Sequence, residues 1–371
     1  MTQPDPTPFP IDQVIERGAD ADPALVLRDR TLSYAALRTR VGELAAWLQA
    51  QVPQPGARVA SWGAKGELTC LLPIAAPRAG LVHVPINPML KRAQVAHILA
   101  DSGASLLVGT PARLATLEQG DAPADCVVVE EALALEAAFD FDAMPPSEAD
   151  PQSIAAILYT SGSTGKPKGV VLSHANLWLG AVSVAHYLKL ARKDVVLAVL
   201  PLAFDYGQNQ LLSSWYAGAS VAPLDYLMPR DVTKAVVKHG VTTLAAVPPL
   251  WRQLVEAKWE NGAGDSLRRL TNSGGALTPD LIDAMQKTWP RADIFPMYGL
   301  TEAFRSTFLD PSLVATHPTS MGTAVPFAEV LVVDETGGPA EPGEEGELVH
   351  CGPLVAQGYW QDEVRTAERF K

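Results

Sequence analysis

Ile154-Ala-Ala-Ile-Leu-Tyr-Thr-Ser-Gly-Ser-Thr-Gly-Lys-Pro-Lys-Gly-Val-Val-Leu172 runs from one apolar stretch through a loop of glycines and hydroxyl residues into a second apolar stretch. Residues 154–159 read as a strand, and the loop after it is built to hold an anion. Glycines and small hydroxyl side chains let several backbone N–H groups and Oγ atoms converge on one point, and Lys166 and Lys168 add local positive charge. It is not a Walker loop, because Pro167 follows Lys166 where Ser or Thr is needed to hold magnesium. It is not a nucleophile elbow either, because Ser161 stands where the Gly-x-Ser-x-Gly pattern around Ser163 requires glycine.

Outward from this loop, aliphatic runs alternate with longer amphipathic stretches, the pattern of strands joined by helices over a mainly parallel sheet. Strands are expected at 57–62, 81–84, 105–108 and 126–129, with helices at 66–78 and 91–101. A second block repeats the rhythm, with strands at 195–200, 220–222, 243–247, 269–272 and 293–297 and helices at 230–239, 250–260 and 278–288. The fold class is therefore α/β, with two similar layered subdomains of mainly parallel sheets. One is expected over 56–194 with the phosphate loop, the other over 1–55 and 195–318. Beyond 318, short strands at 329–334 and 347–350 broken by Gly-Gly, Pro-Gly and Gly-Pro pairs suggest a small β-barrel-like subdomain over 319–371. The Ala-, Asp-, Glu- and Pro-rich stretch 130–151 reads as a polar surface loop.

The whole-chain balance narrows the function. At 371 residues the chain suits two or three domains. A net charge of −12 argues against nucleic acid or an anionic membrane as the main partner, so any phosphate site must be local. Cys70, Cys126 and Cys351 lie far apart without CxxC spacing, supporting neither a disulfide framework nor a zinc site, and the histidines show no metal-ligand spacing. Residues 1–10 lack the basic start and apolar core of a signal peptide, and apolar runs such as 195–204 fall short of the ~20 residues a membrane helix needs. A cytoplasmic location without a transmembrane segment is expected. Trp178, Trp215, Trp251 and Trp259 fall on apparent helices, where core packing is the default. His174 and Asn176 stand at a helix start, where capping or packing is the expected role.

Four ordered motifs carry a family resemblance: the loop 159–169, Ser273-Gly-Gly-Ala-Leu-Thr-Pro279, Tyr298-Gly-Leu-Thr-Glu-Ala303, and Gly346-Glu-Leu with Gly352-Pro and Gly358-Tyr-Trp360. Together with Leu32-Ser-Tyr-Ala-Ala-Leu37 they resemble the adenylate-forming superfamily of acyl-CoA synthetases, luciferases and peptide-synthetase adenylation domains. The resemblance implies that Thr160, Ser161, Gly162, Ser163, Thr164, Gly165 and Lys168 wrap the β- and γ-phosphates of ATP. It implies that Gly274, Gly275 and Ala276 run along the adenine, that Tyr298 stacks on its face and that Gly299 leaves room at its edge. Thr301 would hydrogen-bond the α-phosphate and Glu302 would ligate Mg²⁺, so Thr301, Glu302 and Lys168 are the expected catalytic groups. The acid pocket would draw on Phe204, Asp205, Gly207, Val247, Ala303 and Arg305.

The implied reaction is activation of a small carboxylic acid by ATP to an acyl-adenylate, followed by transfer to the thiol of CoA or of a carrier protein's phosphopantetheine. The family's hinge motif and lysine-bearing C-terminal lid domain do not occur before Lys371. The chain is accordingly expected to be the large N-terminal domain, impaired or inactive by itself. Phe204-Asp205 resembles amino-acid-activating members, whose Asp pairs with the substrate ammonium, whereas the flanking Pro201-Leu and Tyr206-Gly resemble acyl-CoA ligases. An acyl acid is the leading expectation, with an amino-acid-activating enzyme or a non-catalytic adenosine-nucleotide-binding module as alternatives.

Overall fold

The computed structural model describes residues 3–161, 166–260 and 262–371. Two large sheets dominate. The seven-stranded sheet runs in the order Gly358–Tyr359, Pro167–Ser173, Ile154–Ser161, Val82–Pro85, Arg58–Trp62, Ala104–Gly109 and Val127–Glu130. The nine-stranded sheet runs Thr323–Ala324, Thr307–Phe308, Asp293–Tyr298, Arg269–Asn272, Thr243–Ala246, Val195–Ala198, Ser220–Pro223, Pro23–Val26 and Thr31–Ser33. Within each sheet the inner pairs are parallel, and antiparallel pairs sit toward the edges. This is the arrangement expected of crossover helices packed on sheet faces.

The helices form where local chemistry supports them. Tyr34–Gln51 begins at Ser33, whose side chain accepts from the Ala36 N–H, and His174–Tyr187 begins at a reciprocal Ser173/Asn176 capping box. His174 itself packs: its Nδ1 accepts the Ile11 N–H at 3.1 Å. Trp215 and Trp251 are fully buried and Trp178 nearly so, as core residues should be.

Three expectations need correction. The stretch 130–151 is not wholly loop, because Glu131–Ala138 is a helix that buries Ala134 and Ala138 beside Tyr34–Gln51. Its Glu, Ala and Leu residues are strong helix formers, so composition that looked like polar filler was helix propensity. The helix expected at 250–260 occupies Pro248–Glu256, with prolines in the first turn where a missing N–H is tolerated. Trp259 therefore lies outside it, packed edge-on against Trp289. Residues 319–371 form no barrel: Glu329–Val333 pairs only with Glu347–Cys351 among named strands, while Thr323–Ala324 and Gly358–Tyr359 extend the two large sheets.

Candidate active site

A cavity of about 740 Å³ opens where the carboxyl ends of both sheets meet. Much of its wall comes from residues at the end of a strand or just after one. Thr160 lies near the end of Ile154–Ser161, Val247 follows Thr243–Ala246, Ser273 and Gly274 follow Arg269–Asn272, and Gly299 to Glu302 follow Asp293–Tyr298. Parallel α/β sheets place ligands there because loops can be varied at strand ends without disturbing the core.

The structure brings ten of the twenty expected site residues to one cavity wall. Thr160, Gly274, Gly299, Thr301 and Glu302 line the cavity, as do Phe204, Asp205, Gly207, Val247 and Arg305. Gly162, Ser163, Thr164 and Gly165 lie outside the described residues. Ser161 ends its strand. Lys168 pairs in register with Thr160 across the antiparallel hairpin, so it flanks the cavity without lining it. Gly275 and Ala276 continue from Gly274 as an exposed ribbon, and Tyr298 leaves part of its ring open to solvent. Ala303, expected at the acid pocket, is the buried last residue of the Thr301–Ala303 turn and is not on the cavity wall.

Tight geometry holds the two loops in place. A Cβ at Gly207 would stand 1.9 Å from the Pro201 carbonyl oxygen, and one at Gly299 would stand 2.8 Å from the Arg305 Cα. Phe304 adopts φ +59°, an uncommon conformation for a residue with a side chain, and its ring fills the space above Gly180.

The electrostatic centre is Asp205, the first residue of the helix Asp205–Tyr216. Its carboxylate accepts from the Thr301 hydroxyl at 3.1 Å and pairs with Arg305 Nη1 at 3.2 Å. Burial raises the Asp205 pKa, and the guanidinium of Arg305 opposes that rise. Arg305 also lies over the Tyr206 ring, 4.8 Å from its centroid. The Thr301 proton is thus committed to Asp205, and donation to a phosphate oxygen requires the hydroxyl to turn. Glu302 accepts at Oε1 from the Tyr359 hydroxyl, 2.9 Å away. Burial and then the Glu302 carboxylate push the Tyr359 hydroxyl up to about 12, so it stays a neutral donor near pH 7.

Lys65 escaped the sequence reading. Its ammonium donates to the carbonyls of Val199 and Leu224 and to Asp225 Oδ1, at 2.8 to 3.1 Å, tying the seven-stranded sheet to the nine-stranded one at the cavity wall. A lone lysine in Gly63-Ala-Lys-Gly66 carries no motif; its position just past the end of Arg58–Trp62 is the only signal. Among the described residues no group of three His, Cys, Asp or Glu could hold a metal, and no helix is long and apolar enough to cross a membrane. Glu302 on the cavity wall still fits magnesium, which takes one or two carboxylates and completes its shell with phosphate oxygens and water.

Fold and cavity together define the N-terminal domain architecture of adenylate-forming enzymes. ATP-bound MatB from Rhodopseudomonas palustris superposes with a TM-score of 0.89 over 98% of this chain and 74% of that one, at 24% identity. VinN superposes at 0.86 over 97% and 92%, with 27% identity. The profile of the family described as AMP-binding enzyme matches residues 12–360, and the chain belongs to that family. A feruloyl-CoA synthase from Amycolatopsis sp is 35% identical over 341 residues, 91% of this chain and 68% of that protein. Indigoidine synthase from Dickeya dadantii is 30% identical over 362 residues, 94% of this chain and 24% of that protein.

Proposed function

We propose that the cavity binds ATP beside an apolar carboxylic acid and joins them as an acyl-adenylate. The thiol of CoA or of a carrier-protein phosphopantetheine is the later acceptor in the whole protein. The observation that carries this reading is the mixed wall of one cavity. Thr160, Gly274, Thr301 and Glu302 supply its polar part, and Ile86, Met89, Leu202 and Phe204 much of its apolar part.

In the first step a carboxylate oxygen attacks the α-phosphorus, the bond to the bridging oxygen breaks, and pyrophosphate leaves with the electron pair. The protein's task is positioning and charge neutralisation. Lys168, which flanks the cavity, would offset the charge of the departing phosphates, Gly274 to Ala276 give the adenine a backbone ribbon free of large side chains, and Tyr298 offers an exposed ring to stack on it. Thr301 turns its hydroxyl from Asp205 to the α-phosphate. Glu302 would hold magnesium, which neutralises phosphate charge when bound.

The complex of VinN with L-aspartate, a protein 26% identical to this chain, favours a second reading in which an amino acid is activated. Asp205 argues against it here. Its carboxylate already has the Arg305 guanidinium and the Thr301 hydroxyl as partners, so no unpaired anion awaits a substrate ammonium. A hydroxycinnamic acid is the first substrate to try, given the resemblance to feruloyl-CoA synthase. Acid-dependent exchange of labelled pyrophosphate into ATP is the test, with hydroxycinnamic, fatty and amino acids compared. Exchange driven by the apolar acids supports the proposal. Exchange driven by amino acids alone, and lost in Asp205→Ala, contradicts it.

A further inference from the structure

The segment 354–370 is woven into both nucleotide-facing elements. Gly358–Tyr359 adds antiparallel to Pro167–Ser173, the strand that carries Lys168. The Trp360 N–H donates to the Gly169 carbonyl at 2.8 Å, and the Ala356 N–H donates to the Glu302 carbonyl at 2.8 Å. Between these two anchors, the Tyr359 hydroxyl donates to Glu302 Oε1. The same ring sits under the Lys168 ammonium, 5.4 Å from ring centroid to Nζ. Tyr359 is itself braced: its N–H donates to Thr366 Oγ1 at 2.9 Å, and Phe370 packs edge-on against its ring at 5.4 Å.

Glu302 is therefore fixed at its backbone and at one carboxylate oxygen by residues more than fifty positions away in sequence. A half-buried glutamate without such a donor distributes itself over several rotamers, and each metal-binding event must select one. A phenol suits this task because it orients the carboxylate as a neutral donor, without the opposing charge that a lysine or arginine would bring to a cation site.

We propose that Tyr359 is a positioning residue for nucleotide-bound magnesium: it holds Oε1 of Glu302, leaves Oε2 for the metal, and locks that geometry to Lys168 on the neighbouring strand. The proposal rests on the reading of Glu302 as the metal-facing carboxylate. The test is a calorimetric titration of Mg²⁺ into the protein at fixed ATP, with metal-free AMP binding and thermal midpoint measured alongside, for wild type, Tyr359→Phe and Glu302→Gln. Tyr359→Phe keeps the ring against Lys168 and Phe370 and removes only the hydroxyl. It is expected to raise the Mg²⁺ concentration at half-saturation about 10-fold, the lower end of what loss of an outer-shell partner costs, with AMP affinity and thermal midpoint unchanged. A wild-type Mg²⁺ response in Tyr359→Phe while Glu302→Gln shifts overturns the positioning role and leaves the nucleotide reading standing. Parallel loss of AMP and Mg·ATP binding in Tyr359→Phe also overturns it, since the hydroxyl would then support the fold rather than the metal. A wild-type response in Glu302→Gln overturns the underlying assignment of Glu302.

Discussion

Replacing Arg305 by methionine strands a buried carboxylate. The guanidinium is 2% exposed and the Asp205 side chain 10%, with 3.2 Å between Nη1 and Oδ2. Coulomb's law at an effective dielectric constant of about 20 gives an attraction of about 5 kcal/mol at that separation. Measured losses on removing one partner of a buried pair run about 3–5 kcal/mol, so Arg305→Met should be destabilised by about that amount near neutral pH. The sign of the pH dependence follows from Asp205. Its folded pKa is already raised by burial, and losing the arginine raises it further. Across the interval from the unfolded value, about 3.9, up to the folded one, the native variant binds a proton that the unfolded chain has released. Stability of the variant must fall as pH rises through that interval, more steeply and to higher pH than in wild type. Urea unfolding monitored by far-ultraviolet circular dichroism at several pH values between about 5 and about 8 reads both effects. Adding Asp205→Asn should recover most of the loss, because a neutral amide can still accept from Thr301. A loss below about 1 kcal/mol with no change in pH slope, or a double variant no more stable than the single one, would refute the reasoning.

Other outcomes follow from single residues. Gly207→Ala sets a Cβ 1.9 Å from a backbone oxygen, so the Pro201 loop must move; we expect a destabilisation of about 1–3 kcal/mol in urea unfolding together with weakened binding of the acid. Burial pulls His83 down to about 3 while its Nε2 meets Ser61 Oγ, so its contribution to stability is lost as pH falls from about 6.5 toward 3, and His83→Phe should flatten that limb of the pH–stability curve. Glu302→Gln should reduce the magnesium dependence of ATP binding while leaving AMP binding in place, as calorimetry with and without the metal would show.

The elements that set the fold were legible because their signals are local. Arg269–Asn272 has the bounds its sequence suggests, and most other strands and helices fall within a residue or two of theirs. What escaped depends on contacts between distant segments. Asp205 and Arg305 were each visible as polar candidates for the acid pocket, but only the fold joins them into one ion pair. Lys65 reaches carbonyls more than 130 positions away, and no local pattern encodes that. The tail read as a separate β unit because short strands between glycines and prolines look alike whether they pair with each other or complete a sheet begun three hundred residues earlier. Tyr359 stood inside a quoted motif without a role for the same reason.

Calorimetric titration with a non-hydrolysable aroyl-adenylate analogue addresses the central claim most directly, because one ligand then engages the polar and apolar walls of the cavity together. The account predicts one saturable site per chain, bound more tightly than AMP because the acid moiety fills the apolar part beside Phe204 and Met89. A folded sample that gives only the heat of dilution with the analogue, with ATP and with AMP would contradict it.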